Sequence, residues 1–492
     1  MITLGIDIGS SSIKVSLFNA LLGKSIDNAV YPSDEMEIAS KQPEWAEQNP
    51  DVWMQNFLEA LRMIRERHPQ EIKEVKAIGI TYQMHGLVVV DKEGIPLRDS
   101  IIWCDSRAVK TGKSAFEAIG SEYCLDHLLN SPGNFTASKL GWVKSNEPEC
   151  YDKIHKFMLP GDYIAYRLSD KIVTTPSGLS EGIFWDYKTN QVSQDIMDHF
   201  GFNKDLIPEI TDTFSIQGRL TSEMAEVTGL LEGTPITYRA GDQPNNAFSL
   251  KVLNPGEIAA TAGTSGVIYG ISGTRNFDPL SRVNTFLHVN ETAENPRYGI
   301  LFCLNSVGIL NSWARHNLMS KETSYPEMNE IAASIPEGSD GLLILPFGNG
   351  AERMLENKNI GASIHGLNLI THNKGHILRA VQESIAFAFN YGIELMQPLG
   401  LDLKVIRAGK ANMFLSNVFV QTLANLSGAN IELYETNGAD GAARGAAIGA
   451  GYFATPEEAF NNFKIHQTIK PDPNSRISCF YEKWKDLLNK SL

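Results

Sequence analysis

The chain has 492 residues, 42% hydrophobic and 20% charged, with Lys+Arg 43 against Asp+Glu 57 and a formal net charge of -14. That apolar content builds sizeable cores and excludes a disordered chain or a disulfide-stapled module, while the length points to two large domains or three smaller ones. The acidic balance repels phosphate backbones and anionic membranes, and the densest basic stretch, residues 62–67, is interrupted by acid, so neither nucleic acid nor membrane is expected as a partner.

The start, MITLGIDIGS, has neither a basic region nor a long apolar one, so no export signal is expected. Residues 3–8 and 13–18 are short apolar runs around a Gly-Ser turn, predicting strand, tight loop and strand. Trp53, Phe57, Leu58, Leu61, Met63 and Ile64 recur at helical spacing after Asn49-Pro50-Asp51, which suits a helix start. Residues 75–81 read as a further strand. The most apolar stretch, residues 77–90, contains Gln83 and His85 and falls short of the roughly 18 apolar residues of a membrane span. Cys104, Cys124, Cys150, Cys303 and Cys479 are scattered with no C-x-x-C pair, which fits a reducing, cytoplasmic setting.

The second half repeats the opening. After the turn Asn254-Pro255-Gly256 come a run at 257–261, the loop Gly263-Thr264-Ser265-Gly266 and a run at 267–271. IDIGSSSIKVSL (6–17) and ATAGTSGVIYGI (260–271) share apolar run, Gly, hydroxyl pair and apolar run in one order, which predicts a duplication. Helices are predicted over 377–396, 414–426 and 441–452, with strands at 405–408 and 431–434 between them. Strands alternating with helices point to an α/β fold. The boundary between halves is placed near residues 239–249, each half having its own sheet, with a cleft between them where ligands usually bind.

Three segments carry residues suited to chemistry. Asp7 ends the first strand, where a carboxylate suits a water-bound Mg²⁺ beside substrate phosphates. Gly9 lets backbone N–H groups and the hydroxyls of Ser10, Ser11 and Ser12 face one concave spot that suits phosphate, and Lys14 is either a further point charge there or a solvated lysine. Gly263 and Thr264 follow the same logic in the second hairpin, and two such hairpins could grip a nucleoside triphosphate. Asp242 in Gly241-Asp242-Gln243 is either a base for a substrate hydroxyl or the cap of the following helix. Gln83 and His85, past a strand end, suit hydrogen bonds to sugar hydroxyls rather than acid-base work. Trp103 adds an aromatic wall, and nearby Asp105 and Arg107 form either an internal salt bridge or substrate contacts.

In order along nearly the whole chain, LGIDIGSSSIKVSLFN, GITYQMHGLVVVD, IIWCDSR, AGDQPNNA, TAGTSGV, LPFGNGAERM and ASIHGLNLITHNKGHILRAVQES resemble the motifs of the FGGY-type carbohydrate kinases, with the xylulokinases nearest among them. The resemblance implies a duplicated actin-like (ribonuclease H-like) fold, an N-terminal domain over 1–240 on the sugar side and a C-terminal domain over 241–492 on the nucleotide side. It implies ATP, Mg²⁺ and transfer of the γ-phosphoryl group to a sugar hydroxyl, with D-xylulose the expected acceptor. Carried over by position, Asp242 is the general base, Asp7 the metal-side carboxylate, and Met84, His85, Asp242 and Gln243 the sugar contacts. Ser11, Ser12, Gly263 and Thr264 hold phosphates, and adenosine lies against Gly308, Ser312, Gly409 and Asn412. Two departures stand out: RAGKANMFLSN is a few residues longer and has Lys410 in place of the usual run of glycines, as a purine-stacking stem or a solvated side chain, and Gln243 stands where many xylulokinases have Asn. A kinase for ribulose, gluconate or another polyol is one rival, and an actin- or chaperone-like nucleotide switch with no small substrate is another. A homodimer is the default assembly.

Overall fold

The run ITLGIDI is apolar at nearly every position, which fits a strand covered on both faces. In a computed structural model describing residues 1–492, it is the buried strand β1 (Ile2–Ile8). It turns back into β2 (Ile13–Asn19), which sets Asp7 opposite Lys14, and β3 (Lys24–Tyr31) continues the sheet antiparallel. On the other side of β1 lie the parallel β4 (Val75–Tyr82), then β6 (Pro235–Gly241), with β5 (Phe214–Arg219) antiparallel at the edge. The order is β3-β2-β1-β4-β6-β5. Helix α1 (Pro50–Arg67) starts as its sequence predicts, with the Asn49 side chain accepting from the Asp51 N–H and proline in its first turn, and it buries Trp53, Phe57, Leu61 and Ile64 in the sheet's core. The long stretch between β4 and β5 contains α2 (Thr136–Asn146) and α3 (Pro176–Glu181), and α4 (Asp242–Ser249) follows β6 directly.

The second sheet has the same plan. Hairpin β7 (Glu257–Ala262) and β8 (Gly266–Ser272) is flanked by antiparallel β9 (Tyr298–Leu304) on one side. On the other side come parallel β10 (Val405–Gly409) and β11 (Asn430–Tyr434), then antiparallel β12 (Gln467–Ile469). The run β9-β8-β7-β10-β11-β12 matches the first sheet strand for strand in order and direction. The second sheet has a further strand, Asn284–Leu287, outside β9, and its other edge differs in connection, since β5 precedes β6 while β12 follows β11. Helices α5 (Gly308–Leu318), α6 (Tyr325–Ala333), α7 (Lys374–Met396) and α8 (Asn417–Ser427) belong with this sheet. The duplication read from the hairpins therefore extends to six strands of each sheet.

The chain divides into two compact units. The first is Met1–Leu253 with Phe286–Asn295 and Thr436–Phe463, and the second is Asn254–Thr285, Pro296–Glu435 and Lys464–Leu492. Where the sequence reading draws one boundary between residues 240 and 241, the division is discontinuous, because the small-residue helix α9 (Gly438–Gly449) packs on the first sheet. Glycines in the strands allow that approach: a Cβ on Gly5 would lie 1.8 Å from the Ala439 carbonyl oxygen, and one on Gly79 2.0 Å from that of Ala442. All five cysteines are free thiols. No helix is long and apolar enough to cross a membrane.

Candidate active site

In the first unit, Asp7 is buried at the end of β1, with the Lys14 ammonium 3.5 Å away. Burial raises the Asp7 carboxyl above its ordinary range, and Lys14 pulls it partly back. The N-terminus of α9 lies over it: a Cβ on Gly438 would come 2.6 Å from Asp7 Oδ2. Asn245 ties α4 to the same place, its Nδ2 donating to the Gly438 carbonyl at 2.9 Å while its Oδ1 accepts from the Tyr238 hydroxyl at 3.1 Å.

Asp242 is the first residue of α4, and the cap position belongs to Gly241, so the capping role does not fall to Asp242. Its carboxyl is partly open to solvent but shielded enough that desolvation, with the Asp7 charge as the second cause, pushes it up to about 7. The Gln243 backbone and side chain donate to it and lower it in part. A carboxyl poised near neutrality suits proton transfer at physiological pH.

Met84 packs beside this residue, since a Cβ on Gly241 would sit 2.6 Å from Met84 Cγ. His85 has a left-handed backbone (φ 63), and its Nδ1 lies 3.0 Å from the Glu181 carbonyl oxygen. Phe135 meets the imidazole edge-on at 4.7 Å between centroids, with Phe286 at 5.5 Å. Gln83 is turned inward instead. Its amide donates to Gln48 Oε1 at 3.2 Å, and Gln48 in turn donates to the Ser10 carbonyl at 2.7 Å, so Gln83 braces the first hairpin's loop. Trp103 is 54% exposed, with its indole N–H 3.3 Å from Ser10 Oγ. Of the two readings of Asp105 and Arg107, the structure gives the internal salt bridge: Arg107 Nη2 lies 2.7 Å from Asp105 Oδ2, Nη1 donates to Glu47 at 2.7 Å, and the guanidinium lies over Trp45. Ser11 is exposed and Ser12 half-buried, with the Gly9 N–H donating to the Ser12 carbonyl at 3.2 Å to close the loop.

In the second unit, Gly263, Thr264, Gly308, Ser312 and Asn412 line one cavity of about 690 Å³, five positions expected to hold nucleotide brought to one place. Gly308 must be glycine, since a Cβ there would lie 2.3 Å from the Gly263 carbonyl oxygen; its N–H donates to that oxygen at 2.9 Å and fastens α5 to the hairpin. Gly409 ends β10 and is not part of the lining. Lys410 is also outside it, with Nζ 2.6 Å from His466 Nε2. Sequence reasoning missed Tyr325, Asn329 and Ser416 in the same wall.

It also missed buried polar groups beneath both sites. Glu181 is 2% exposed, with one carboxyl oxygen 3.8 Å from His85 Nδ1; burial raises its carboxyl far above the usual range, and the Tyr82 hydroxyl pulls it partly back. Glu352 is buried with its carboxyl pushed up to about 7, and it accepts from the Asn305 N–H at 3.0 Å, just before α5. The segment LPFGNGAERM contains Glu352, with no task read for it from the sequence.

Residues 2–249 match the FGGY family of carbohydrate kinases, N-terminal domain, and residues 258–454 the family's C-terminal domain. The chain belongs to the FGGY family of carbohydrate kinases. It is an ATP-dependent carbohydrate kinase, which removes the reading as a nucleotide switch without a small substrate. The chain is 29% identical over 470 residues to the xylulose kinase of Bacillus subtilis (strain 168), covering 94% of this chain and 90% of the relative. The xylulose kinase structure from Rhodospirillum rubrum superposes with a TM-score of 0.89 at 25% identity, covering 100% of this chain and 99% of that one. A gluconate kinase from Lactobacillus acidophilus shares the fold, with a TM-score of 0.89 at 22% identity over 99% of this chain and 98% of that one.

The residues present fit a magnesium ion. The buried carboxylate of Asp7 is a hard oxygen donor. Mg²⁺ is typically held in this way, by one or two carboxylates with waters and substrate phosphates completing its shell.

Proposed function

We propose that the kinase phosphorylates a ketopentose, converting D-xylulose and ATP to D-xylulose 5-phosphate and ADP. Asp242 carries this reading: a carboxyl lifted to about 7, one residue past the end of β6 and next to Met84, is suited to take a proton from an attacking hydroxyl. Asp242 orients the sugar hydroxyl and accepts its proton as the oxygen meets the γ-phosphorus; phosphoryl transfer asks little covalent chemistry of the protein beyond positioning and charge compensation. His85, Met84, Gln243 and Trp103 bind the sugar. Asp7 would hold Mg²⁺, which when bound neutralises charge on the triphosphate oxygens. Lys14 and the Ser11 and Ser12 hydroxyls add positive potential and donors at the first hairpin, and Gly263 and Thr264 bind phosphate at the second. The nucleoside occupies the cavity bordered by Gly308, Ser312 and Asn412, whose volume suits it.

Full-length similarity to xylulose kinases supports the choice of sugar. A second reading, a sister kinase for ribulose, gluconate or another polyol, rests on Gln243, which stands beside the base where many xylulokinases have Asn. A panel of kcat/KM values for D-xylulose, ribulose, gluconate and glycerol tests both. D-xylulose at the head of the panel is the expected result, and a higher value for any of the others overturns the assignment. Catalysis should also vanish with chelation of divalent cations and return with Mg²⁺.

A further inference from the structure

Lys139 lies in the first turns of α2, fully buried at 0% exposure. Its ammonium donates to two main-chain carbonyls from separate segments, that of His85 at 2.7 Å and that of Ile102 at 3.0 Å. Burial pulls the ammonium down to about 7, with the charge of Asp105 the largest opposing influence. An apolar side chain of similar length would fill the same space without that penalty, so what the lysine contributes is its donors.

Those carbonyls belong to the residue that bears the left-handed imidazole and to the residue before Trp103. The same helix start makes three more ties. Thr136 Oγ1 donates to the Gly86 carbonyl at 3.3 Å, the Ala137 N–H to the Gly182 carbonyl at 3.0 Å, and the Asn134 amide to the Asp105 carbonyl. Gly182 follows Glu181, whose carbonyl faces the His85 ring. His85 is thus held at its backbone by Lys139 and at its ring by a segment anchored to the same turn of α2. A positive φ at a non-glycine residue is costly and persists only where its surroundings over-determine it.

We propose that Lys139 is a positioning residue for sugar recognition, its ammonium joining the His85 turn to the segment carrying Trp103 so that both meet the sugar in one fixed geometry. The inference rests on the reading of His85 and Trp103 as sugar contacts. It assigns Lys139 no contact with substrate.

The test is a kinetic cycle of Lys139→Met, His85→Ala and the double variant, with D-xylulose, or with the best sugar of the panel should that choice be overturned. Lys139→Met should raise the sugar KM by about ten- to a hundredfold, as loss of fixed orientation does, with the ATP KM unchanged and kcat reduced far less. In the double variant the sugar KM should exceed that of His85→Ala by less than the factor Lys139→Met costs alone, because part of the Lys139 effect passes through His85 and only the rest through Trp103. Lys139→Gln, which keeps one donating amide, should fall between wild type and Lys139→Met. Should Lys139→Met not fold, Lys139→Gln carries the test; should neither fold, Lys139 is a residue of the fold and the proposal is overturned. A normal sugar KM in folded protein, equal losses in sugar and ATP parameters, or additive effects in the double variant each overturn it as well. A normal sugar KM in His85→Ala strikes the underlying reading of His85, and is told apart because it arises without touching Lys139.

Discussion

Hairpins β1–β2 and β7–β8 occupy the same place in their sheets, yet the cross-strand pair Asp7 and Lys14 of the first corresponds to the pair Thr261 and Val267 of the second. One hairpin thus carries a buried acid beside a lysine, while its counterpart carries a hydroxyl and an apolar side chain. The first unit gathers charge, with Asp7, Asp242 and Glu181 all raised by burial. The second builds a cavity, walled by α5, α6 and the residues around Asn412. Buried charge is expensive, and a duplicated scaffold does not need it twice. On the proposed reading, the repeat kept the hairpin backbone while the side chains divide the labour, proton transfer in the first unit and nucleotide binding in the second.

If charge chemistry belongs to the first unit alone, the largest loss should come from Asp242→Asn. Asparagine keeps size and polarity but accepts no proton, so kcat should fall by about 10²- to 10⁴-fold while calorimetry still detects sugar and ATP binding. In the wild type, kcat/KM should rise with pH through about 7 as Asp242 loses its proton, and the variant should lack that limb. Stability should move the other way. The folded carboxyl titrates above its ordinary 3.8, so the stability it contributes is full below that value and lost as pH rises through about 7. Asp242→Asn should therefore melt at a higher temperature than wild type at pH 8, the gap closing toward pH 4. Near-normal turnover in the folded variant would remove the general base from the scheme. The paired comparison is Asp7→Asn against Thr261→Ala: the first should lose about ten- to a hundredfold in kcat/KM, as removal of a charge-assisted contact worth about 1.5–3 kcal/mol implies, and the second little. Equal losses would mean that the hairpins share one role after all.

The hydroxyls sharpen the same contrast. Thr264 lines the nucleotide cavity, and its carbonyl accepts from the Ile309 N–H at 3.2 Å, whereas Ser12 lies in the loop beside Asp7. Thr264→Ala and Ser12→Ala should each raise the ATP KM by about tenfold, the lower end for one hydrogen bond to a charged group, with the sugar KM unchanged. Unchanged ATP kinetics in both variants would leave phosphate to the backbone N–H groups alone.

Much of this was legible in the sequence where the signal is local. Alternating apolar runs around Gly-hydroxyl loops marked both hairpins, and Asn49-Pro50-Asp51 marked α1. Boundaries moved where caps intervened. The helix expected from residue 441 begins at Gly438, because the Asn437 side chain accepts from the Asp440 N–H and adds a turn. The helix expected over 414–426 is broken, because Asn412 takes a left-handed φ of 52 and Ser416 caps a new helix at Asn417. Asp7 and Asp242 could be found because an acid at a strand end stands out against apolar neighbours. Lys139 and Glu181 could not, since a lysine or glutamate in a helix looks solvated until distant segments close over it. Strand order depends on pairings such as β1 with β4, separated by all of α1, and local periodicity carries no trace of them.

The smallest expected effect concerns Glu352, a buried acid of the second unit that has no arginine partner of the kind Asp278 and Glu383 have in Arg282 and Arg379. Both its oxygens accept from the Asn305 N–H, at 3.0 and 3.1 Å, and Ser306 also donates to it, so the loop leading to Gly308 is anchored on this carboxyl. Burial is the leading cause of its rise from 4.5 to about 7, and the donors pull it back only in part. Its contribution to stability is therefore full below about 4.5 and lost as pH rises through 7. Glu352→Gln removes that loss, so the variant should melt above wild type at pH 8 and close to it at pH 5. The same change leaves one acceptor oxygen where the carboxylate offered two, and the loop beneath the nucleotide cavity is held less firmly. The ATP KM should rise by roughly two- to tenfold at pH 8, the equivalent of one ordinary hydrogen bond, with the sugar KM unaffected. A shift in the sugar KM instead would mean that the division between a charged sugar-side unit and a nucleotide-side cavity does not hold, because an acid of the second unit would then be serving the chemistry assigned to the first.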